Sequence, residues 1–392
     1  MNFLPHSPQS GADAPPGHWT AGHVAAIRRA AETTIALVAP RPVPLIDALD
    51  LWDLWPLQHA NGSTALVEGW SVWFVLSAPR LPDPEARHNV ARIRLMSLRG
   101  GEWRDHGNAL PDGLCPGSRE WAGSARFDAA SGQVNLFWTA AGHSGDGGAS
   151  FAQRMFVANA ALAVSGSGFA LANWTAPEQI AGGDIDHYVE VTAAQGIPGT
   201  IKGFRDPAHF VDPADGQTYL LFTGSLKHSP SAWNGCIGLL RADRATGAWE
   251  VLPPLLSADK LNNEQERPHI VMHGGRYYLF WSTQRKVFAD SGPSGPTGLY
   301  GMVADTLAGP WHPLNGTALV AGNPDGAPYQ TYSWWVTGAL SVHGFVDYPG
   351  VAADERQDDA AWRRTTFGGV PAPVFTLALD GDIARIADAA AA

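Results

Sequence analysis

Short runs of apolar and aromatic residues, bounded by Gly, Asp, Asn and Pro, recur along most of the chain. This pattern is typical of strands that are separated by tight turns. Four runs share a turn followed by an aromatic-rich strand, at residues 68–76, 131–139, 215–223 and 274–282. Their irregular spacing indicates one supersecondary unit repeated with loop insertions. A β-propeller of four-stranded blades fits such a repeat, and a jelly roll or sandwich is the alternative.

Helix signals are few. Residues 21–38 place apolar side chains at helical spacing, which predicts a helix that ends at the following prolines. A second short helix is a candidate at 354–363, and the Ala-rich end, 383–392, is predicted to be a frayed helix or disordered. We therefore expect an N-terminal extension with a helix over 1–44 and a single β domain over 45–392.

Composition narrows the classes of partner. The 392 residues include 26 Lys and Arg against 37 Asp and Glu, a formal net charge of −11 at pH 7. This balance argues against nucleic acid or an anionic membrane as the main partner. The 16 tryptophans suit carbohydrate stacking as well as core packing. Cys115 and Cys236 allow at most one disulfide, and the sequence leaves open whether they pair.

Neither a secretory signal nor an apolar stretch long enough to cross a membrane is recognisable in the sequence. We therefore expect a soluble protein that is cytoplasmic, or that is secreted without a recognisable signal peptide.

Two acidic motifs are candidates for chemistry. Asp53 lies between tryptophans in Trp-Asp-Leu-Trp-Pro, where partial desolvation favours a working carboxylate. The alternative is an Asp that caps a turn. Asp206 lies in Arg205-Asp206-Pro207, and in a regular strand these Arg and Asp side chains point to opposite sides, so each needs its own partner. A structural salt bridge to another strand is the alternative for Asp206.

A third acidic motif contains Glu264 and Glu266, one strand period apart and therefore on one face. Two like charges this close raise the pKa of at least one of them, as a general acid near neutral pH requires. Two solvated carboxylates at a sheet edge are the alternative. Glycoside cleavage needs two carboxyl groups around the anomeric carbon. A propeller channel would bring positions 53, 206 and 266 together, so the residues indicate a candidate glycosidase.

At these motifs the chain resembles glycoside hydrolase family 68, the levansucrases, inulosucrases and bacterial β-fructofuranosidases that act on sucrose. Family motifs appear in order as Trp52-Asp53-Leu54-Trp55-Pro56, Glu120-Trp121-Ala122-Gly123, Arg205-Asp206-Pro207 and Glu264-Gln265-Glu266-Arg267-Pro268. Weaker likeness continues through 298–301 and 332–334. The resemblance implies an all-β, five-bladed propeller with a deep acidic pocket on its axis.

The resemblance also implies roles for individual residues. Asp53 would be the nucleophile that forms a covalent fructosyl-enzyme, Glu266 the acid/base, and Asp206 the stabiliser of the transition state. Net retention of configuration follows from this two-step displacement. The remaining matched positions would bind substrate: Trp52 and Trp121 as walls of the fructosyl site, with Arg205, Glu264 and Arg267 on sugar hydroxyls and around the charge of Glu266.

Two departures from the family pattern bear on activity. Ala122 replaces a Ser near the nucleophile, so Asp53 is expected to be positioned or charged differently. Gln284 falls where levansucrases carry an Arg or His that grips the second sugar. A neutral amide should weaken binding of the glucosyl or acceptor ring. This favours hydrolysis of sucrose by a β-fructofuranosidase, with transfer to short acceptors.

Two alternatives to hydrolysis remain. The first is a levansucrase- or inulosucrase-type fructosyltransferase that makes fructooligosaccharides or fructan, and the acceptor side of its site would include loop 227–234. The second is a non-catalytic propeller that binds sugars. In each case the expected partners are sucrose and fructosyl acceptors.

No cofactor and no metal are expected. Asn263 replaces an Asp that helps to bind structural calcium in some members of the family that the chain resembles. The histidines at 88, 187, 209 and 269 lack the spacing of metal ligands, and positions in the core or at the pocket rim are the expected account of them.

Overall fold

The computed structural model describes residues 15–39, 42–145, 150–166, 168–181, 185–192, 201–352 and 359–387. Strands dominate this part of the chain. The four aromatic runs predicted as strands are strands, at Trp70–Pro79, Gln133–Ala141, Thr218–Ser225 and Arg276–Thr283.

The strands of the described residues form five antiparallel units that follow one another in the chain, here named blades 1 to 5. Blade 1 contains Leu49–Gln58, Trp70–Pro79, Arg92–Arg99 and Glu102–Asn108. Blade 2 contains Arg119–Asp128, Gln133–Ala141, Gln153–Ser165 and Gly168–Ala172. Blade 3 contains Phe204–Val211, Thr218–Ser225, Gly235–Ala242 and Trp249–Ser257.

Blade 4 contains Glu266–His273, Arg276–Thr283 and Gly298–Ala304, and its outer edge is shared by His312–Pro313 and Leu319–Gly322. Blade 5 contains Thr331–Val336, Ser341–Val346, Phe375–Asp380 and Ile383–Ile386. Short strands add to the blades at Gly17–His18, Leu66–Val67, Glu178–Gln179 and Val370–Pro371.

The first strand of each blade lies innermost and contacts the first strand of the next blade. The inner strand of blade 5 also contacts the inner strand of blade 1, so the ring closes around an axis. Blades 1 and 2 are joined directly by parallel pairing of Leu57 with Ala125. The expected β-propeller is confirmed.

Each of the five inner strands in the described part of the chain has a β-bulge in its first half. The register shifts include Asp53, Ala122, Asp206, Arg267 and Ser333. Four of these residues, all but Ala122, have φ between 32° and 62°, a left-handed conformation that is uncommon outside glycine. A bulge re-aims a side chain, and the contacts below show that these side chains meet one another across the axis.

The predicted helix over 21–38 is wrong for most of its length. The structure has a helix at Ala21–Ala25 and a single 3₁₀ turn at Ala31–Thr33. After that turn the chain is extended, because the Ile35 N–H donates to the carbonyl of Gly322 at 2.9 Å. Pairing with blade 4 overrides the helical spacing of the apolar residues.

The C-terminal predictions are confirmed only in part. Helix Ala360–Thr366, with Asp359 as its N-cap, overlaps the predicted helix at 354–363, and residues 354–358 lie outside the described residues. The predicted frayed helix or disorder over 383–392 is wrong at its start, because Ile383–Ile386 pairs with Phe375–Asp380 as the outer strand of blade 5. Residues 388–392 lie outside the described residues.

Many of the tryptophan side chains are buried in the core. Eight of the largest fully buried side chains are tryptophans: Trp19, Trp52, Trp55, Trp73, Trp138, Trp281, Trp334 and Trp335. Cys115 and Cys236 are free thiols. In the part of the chain that the structure describes, no helix has the length and apolar character needed to span a membrane.

Candidate active site

Arg205 brings the acidic motifs of two blades together. Its Nη2 lies 2.7 Å from Glu266 Oε1 and 3.6 Å from Glu264 Oε2, and its Nε lies 3.6 Å from Asp206 Oδ2. All four side chains are largely buried. One guanidinium therefore forms ion pairs with three carboxylates at the junction of blades 3 and 4.

The contact between Arg205 and Asp206 corrects the expectation that the two side chains point to opposite sides. That expectation assumes regular strand alternation, and Asp206 sits in a bulge with φ 62°. The left-handed backbone breaks the alternation and turns the carboxylate toward its neighbour. Glu264 and Glu266 do share one face, as predicted, because both meet Arg205.

Asp206 is held from several sides. The Thr223 hydroxyl donates to Asp206 Oδ2 at 2.9 Å, and the Asp206 N–H donates to Thr139 Oγ1 at 2.9 Å. Burial raises the pKa of Asp206 to about 6, while Arg205 and the Thr223 hydrogen bond oppose the rise. The carboxylate is thus fixed in place and ionised near neutral pH.

Arg267 is 2% exposed and ties blade 4 to blades 5 and 1. Its guanidinium donates to the carbonyl and hydroxyl of Ser333, at 2.9 and 2.8 Å, and to the carbonyl of Leu54 at 2.6 Å. The rings of Trp55 and Trp335 flank it, with centroids 5.8 and 5.4 Å away. Through these contacts Arg267 joins three blades and places a positive charge near the axis. Its binding of a sugar hydroxyl stays a prediction.

Asp53 is buried enough that its pKa is raised, chiefly by desolvation. The positive charge of Arg267 and a hydrogen bond from Ser333 both act to lower it. Ser333 was not predicted as a site residue, although it lies in the weakly matched 332–334 segment. The methyl group of Ala122 offers no hydrogen bond, so the hydroxyl partner of Asp53 comes from blade 5 instead.

Glu266 has a second partner in Tyr332, whose hydroxyl donates to Glu266 Oε2. Gln284 forms a side-chain hydrogen bond with Tyr332. Gln284 is therefore connected to Glu266, the predicted acid/base, through the Tyr332 hydroxyl. Tyr332 was also missed. It precedes a bulge just as Trp52, Trp121 and Arg205 do, and that repeated position is the signal that could have found it.

The two predicted wall tryptophans differ in exposure. Trp52 is 1% exposed and contacts His88 edge-on, with ring centroids 5.8 Å apart. Trp121 is half-buried, and its Nε1 donates to the His88 carbonyl at 3.1 Å. Of the two indoles, Trp121 has the greater area available to a ligand. Burial lowers the pKa of His88 to about 3, so its ring is neutral.

A cluster of charged groups from two loops lies next to Asp53, and nothing in the sequence pointed to it. Arg87 Nη1 lies 3.0 Å from Glu85 Oε1, and the Tyr348 hydroxyl donates to the same oxygen at 2.7 Å. Burial raises the pKa of Asp347 to about 7, opposed first by Arg87. Its members come from loops about 260 residues apart, between the second and third strands of blades 1 and 5.

The histidines of the inner strands are core residues. His269 Nδ1 donates to the Arg267 carbonyl, and its Nε2 accepts from the Val336 N–H, both at 2.9 Å. Burial lowers the pKa of His269 and of His209 to about 3. Within the described ranges, no group of three or more His, Cys, Asp or Glu side chains is placed to hold a metal.

Carboxyl groups from three blades lie around one axis and are held by arginines and hydroxyls, and glycoside cleavage uses a pair of such groups. A family model described as Levansucrase/Invertase matches residues 9–232 and 227–390. The chain belongs to this family, glycoside hydrolase family 68.

Individual relatives agree with the assignment. The chain is 32% identical over 391 residues to levansucrase LscA of Pseudomonas savastanoi pv. glycinea, covering 89% of each. It is 36% identical to an inulosucrase from Halalkalicoccus jeotgali bound to kestose, with a TM-score of 0.87 and 95% of each chain covered. The β-fructofuranosidase catalytic domain of Microbacterium saccharophilum K-1 is 24% identical, covers 98% of this chain and 92% of its own, and has a TM-score of 0.80. That last likeness shows the fold alone.

Proposed function

We propose that this enzyme takes the fructosyl unit of sucrose and transfers it mainly to sugar acceptors, as a levansucrase- or inulosucrase-type fructosyltransferase, with hydrolysis as a side reaction. The observation that carries the proposal is the convergence of Asp53, Asp206 and Glu266 on one axis in a chain of family 68. Asp53 and Asp206 lie in inner-strand bulges, and Glu266 immediately precedes one.

Transfer is favoured over the hydrolysis expected from the sequence. The Pseudomonas savastanoi and Halalkalicoccus jeotgali relatives, at 32% and 36% identity, are named levansucrase and inulosucrase, whereas the protein named β-fructofuranosidase is 24% identical. The expectation of hydrolysis depended on Gln284 as a weak grip on the second sugar. Its amide bonds to Tyr332, so Gln284 is part of the support of Glu266 and its neutrality is a poor guide to acceptor binding.

In the first step, an Asp53 carboxylate oxygen attacks the anomeric carbon of the fructosyl unit and the bond to the glycosidic oxygen breaks. Glu266 donates a proton to that oxygen, so that glucose leaves as a neutral alcohol. Arg205 and Tyr332 orient the Glu266 carboxyl for this transfer. The ionised Asp206 stabilises the positive charge that develops on the fructosyl ring.

In the second step, Glu266 accepts a proton from the incoming hydroxyl while the oxygen of that hydroxyl attacks the fructosyl-enzyme. The bond to Asp53 breaks and the starting configuration is restored. A sugar hydroxyl gives transfer and water gives hydrolysis, so the occupancy of the acceptor side decides the product.

The test is to incubate the purified protein with sucrose and to quantify free glucose and free fructose over time. Glucose in clear excess, with oligofructosides accumulating, is the expected result. Equal release would show that hydrolysis dominates and would refute the transfer proposal. If sucrose bound without release of either sugar, the chain would be a sugar-binding propeller.

Variants test the assigned roles. Asp53→Asn, Asp206→Asn and Glu266→Gln should each lower kcat by several orders of magnitude, roughly the 10⁴-fold or more lost with a catalytic nucleophile or its partners. Asp305→Asn removes an 81% exposed carboxylate and is the matched control. Acid-quenched reactions should show one added fructosyl unit on the peptide that contains Asp53. Near-parental turnover by Asp53→Asn would overturn the mechanism.

A further inference from the structure

Lys202 places an ammonium group among oxygen atoms of the protein, three residues before Arg205. Its Nζ donates to the Ala232 carbonyl at 2.5 Å, to Asn263 Oδ1 at 3.2 Å and to Asn234 Oδ1. Ala232 and Asn234 belong to the loop between the second and third strands of blade 3, and Asn263 belongs to the segment that leads into blade 4. One cation therefore joins three separate stretches of chain.

The segment that Lys202 contacts also carries the carboxylates of blade 4. Asn263 Nδ2 donates to the Ile201 carbonyl at 2.5 Å, which fixes the orientation of the amide whose oxygen faces Lys202. The next residue, Glu264, donates its N–H to Asn262 Oδ1 at 2.9 Å. The Lys202 ammonium is thus linked through two adjacent asparagines to Glu264, which meets Arg205.

The backbone on either side of Lys202 is clamped as well. Gln153 Nε2 donates to the Lys202 carbonyl at 3.0 Å, and Gln153 Oε1 accepts from the Phe204 N–H at 2.9 Å. The same strand continues into Arg205 and Asp206. A displacement of Lys202 would therefore be passed along a short, tightly bonded stretch to the catalytic site.

The loop and the segment also pack closely against each other at Gly235, next to the oxygen atoms that Lys202 contacts. The Gly235 N–H donates to the Asn262 carbonyl at 3.0 Å. A Cβ added to Gly235 would lie 2.7 Å from the Asn263 carbonyl carbon and 2.8 Å from the Asn262 oxygen. Lys202 is half-buried, so without its ammonium the three oxygen atoms would lose the donor that they share, and the loop and the segment would lose this link.

We propose that Lys202 is a positioning residue of the catalytic site, a built-in cation that binds loop 226–234 to segment 262–265 and thereby sets the arrangement of Glu264, Arg205 and Glu266. The inference rests on the proposed function, because the positioned carboxylates are those assigned to act on sucrose. Lys202 itself touches none of the reacting atoms in this assignment.

Lys202→Met keeps the length of the stem and removes the charge and the donors. Because displacement of a catalytic group by about 1 Å can cost 100-fold in rate, kcat on sucrose should fall by about 10- to 100-fold. KM should change by less than about threefold, since the walls of the fructosyl site come from blades 1 and 2. Arg241→Met is the control in blade 3, where Nη2 pairs with the exposed Glu250 at 2.5 Å, and it should keep kcat within about twofold.

Chemical rescue separates a cation from a spacer. Lys202→Ala opens the cage, and added ammonium or propylammonium, which can donate N–H bonds, should restore part of kcat. Tetramethylammonium at the same ionic strength has no N–H donors and should restore none. Equal effects of the donor and non-donor ions would overturn the assignment of Lys202 as a cation that bridges the loop and the segment.

The milder variant Asn234→Ala keeps Lys202 and removes one of its oxygen partners, and kcat should fall severalfold. If Lys202→Met folds with a lowered Tm and a kcat within twofold of the parent, the role of Lys202 is structural and the proposal is refuted. The same holds if both variants leave kcat unchanged.

Hydrogen exchange distinguishes failure of this inference from failure of the proposed function. A parent protein that releases no glucose from sucrose would refute the function alone. The Leu226, Gly235 and Lys260 amides bond across the loop and the segment, to Asn234, Asn262 and Trp233. Their exchange should quicken in Lys202→Met and stay unchanged in Arg241→Met, and unchanged exchange in both would refute the positioning role.

Discussion

Replacing Arg267 with methionine should lower the stability of the propeller. It should also raise the pKa of Asp53, because the positive charge beside that carboxyl is lost. Arg267 makes three charge-assisted hydrogen bonds, to Ser333 twice and to Leu54, from a site that is 2% exposed. Each such bond contributes about 1.5–3 kcal/mol. A buried methionine between the two indoles recovers about 1.5–3 kcal/mol of this through apolar burial.

The net loss is about 4 kcal/mol, in the range of about 3–5 kcal/mol for removing one partner from a buried charged network. An unfolding entropy of about 2.1 cal/mol/K per residue gives about 0.8 kcal/mol/K for a chain of this length. The expected fall in Tm is therefore about 5 °C, measured by calorimetry.

The pH dependence of kcat should shift in the same variant. In the proposed mechanism Asp53 must be ionised to attack. Burial raises its pKa, and Arg267 is the strongest influence that opposes the rise. Loss of that cation raises the pKa of Asp53 further, so the acidic limb of the profile moves to higher pH. An adjacent opposite charge lowers a carboxyl pKa by about one to three units, and the limb should move by at least about one unit.

Arg364→Met is the matched control. Arg364 is a half-buried arginine that donates hydrogen bonds to both carboxylate oxygens of Asp50, at 2.6 and 2.9 Å, and Asp50 is 1% exposed. Its loss should cost a similar fall in Tm but leave the acidic limb in place. If Arg267→Met moved the limb no more than Arg364→Met, or kept its Tm within about 1 °C of the parent, the reasoning about Arg267 would be refuted.

Three further predictions concern single positions. Thr223→Val removes the hydroxyl that donates to Asp206 Oδ2, so the pKa of that carboxyl should rise above its value of about 6, moving the acidic limb of kcat upward and costing about 1 kcal/mol of stability. Gly123→Ala would place a Cβ 1.9 Å from the Phe137 carbonyl oxygen, so the variant should be recovered unfolded or with a sharply lowered Tm, and a normal melting curve would contradict this. Gln284→Leu removes the amide that hydrogen-bonds to Tyr332, so the Glu266 carboxyl loses part of its support and kcat on sucrose should fall severalfold, and an unchanged kcat would contradict the supporting role of Gln284.

Much of the fold, and the carboxylates that meet around the axis, could be predicted from local sequence. Aromatic runs after turns became strands because aromatic and β-branched side chains pack well on a pleated, buried surface. The carboxylates at 53, 206 and 266 were identifiable because they lie in short motifs with distinctive neighbours. Both signals are contained within a few residues of chain.

The missed features depend on distant parts of the chain. Nothing near Ile35 indicates that its N–H is bonded to Gly322, so helical spacing gave a wrong helix. Likewise, Asp347 lies next to Arg87 only because the ring brings blade 5 beside blade 1. Such contacts follow from closure of the propeller, which no local pattern contains.

The inner-strand bulges explain why the missed Ser333 belongs with the motifs that were found. Asp53, Asp206, Arg267 and Ser333 occupy one register position in four blades, and each holds a left-handed backbone that costs about 1–3 kcal/mol. A glycine would relieve this cost, but it would remove the carboxylate, guanidinium or hydroxyl that meets its neighbours across the axis. Ala122, at the same position of blade 2, contributes a methyl group and lies outside the left-handed region. Backbone strain is therefore retained where the bulge supplies a polar group to the site, and the blade that supplies none is free of it.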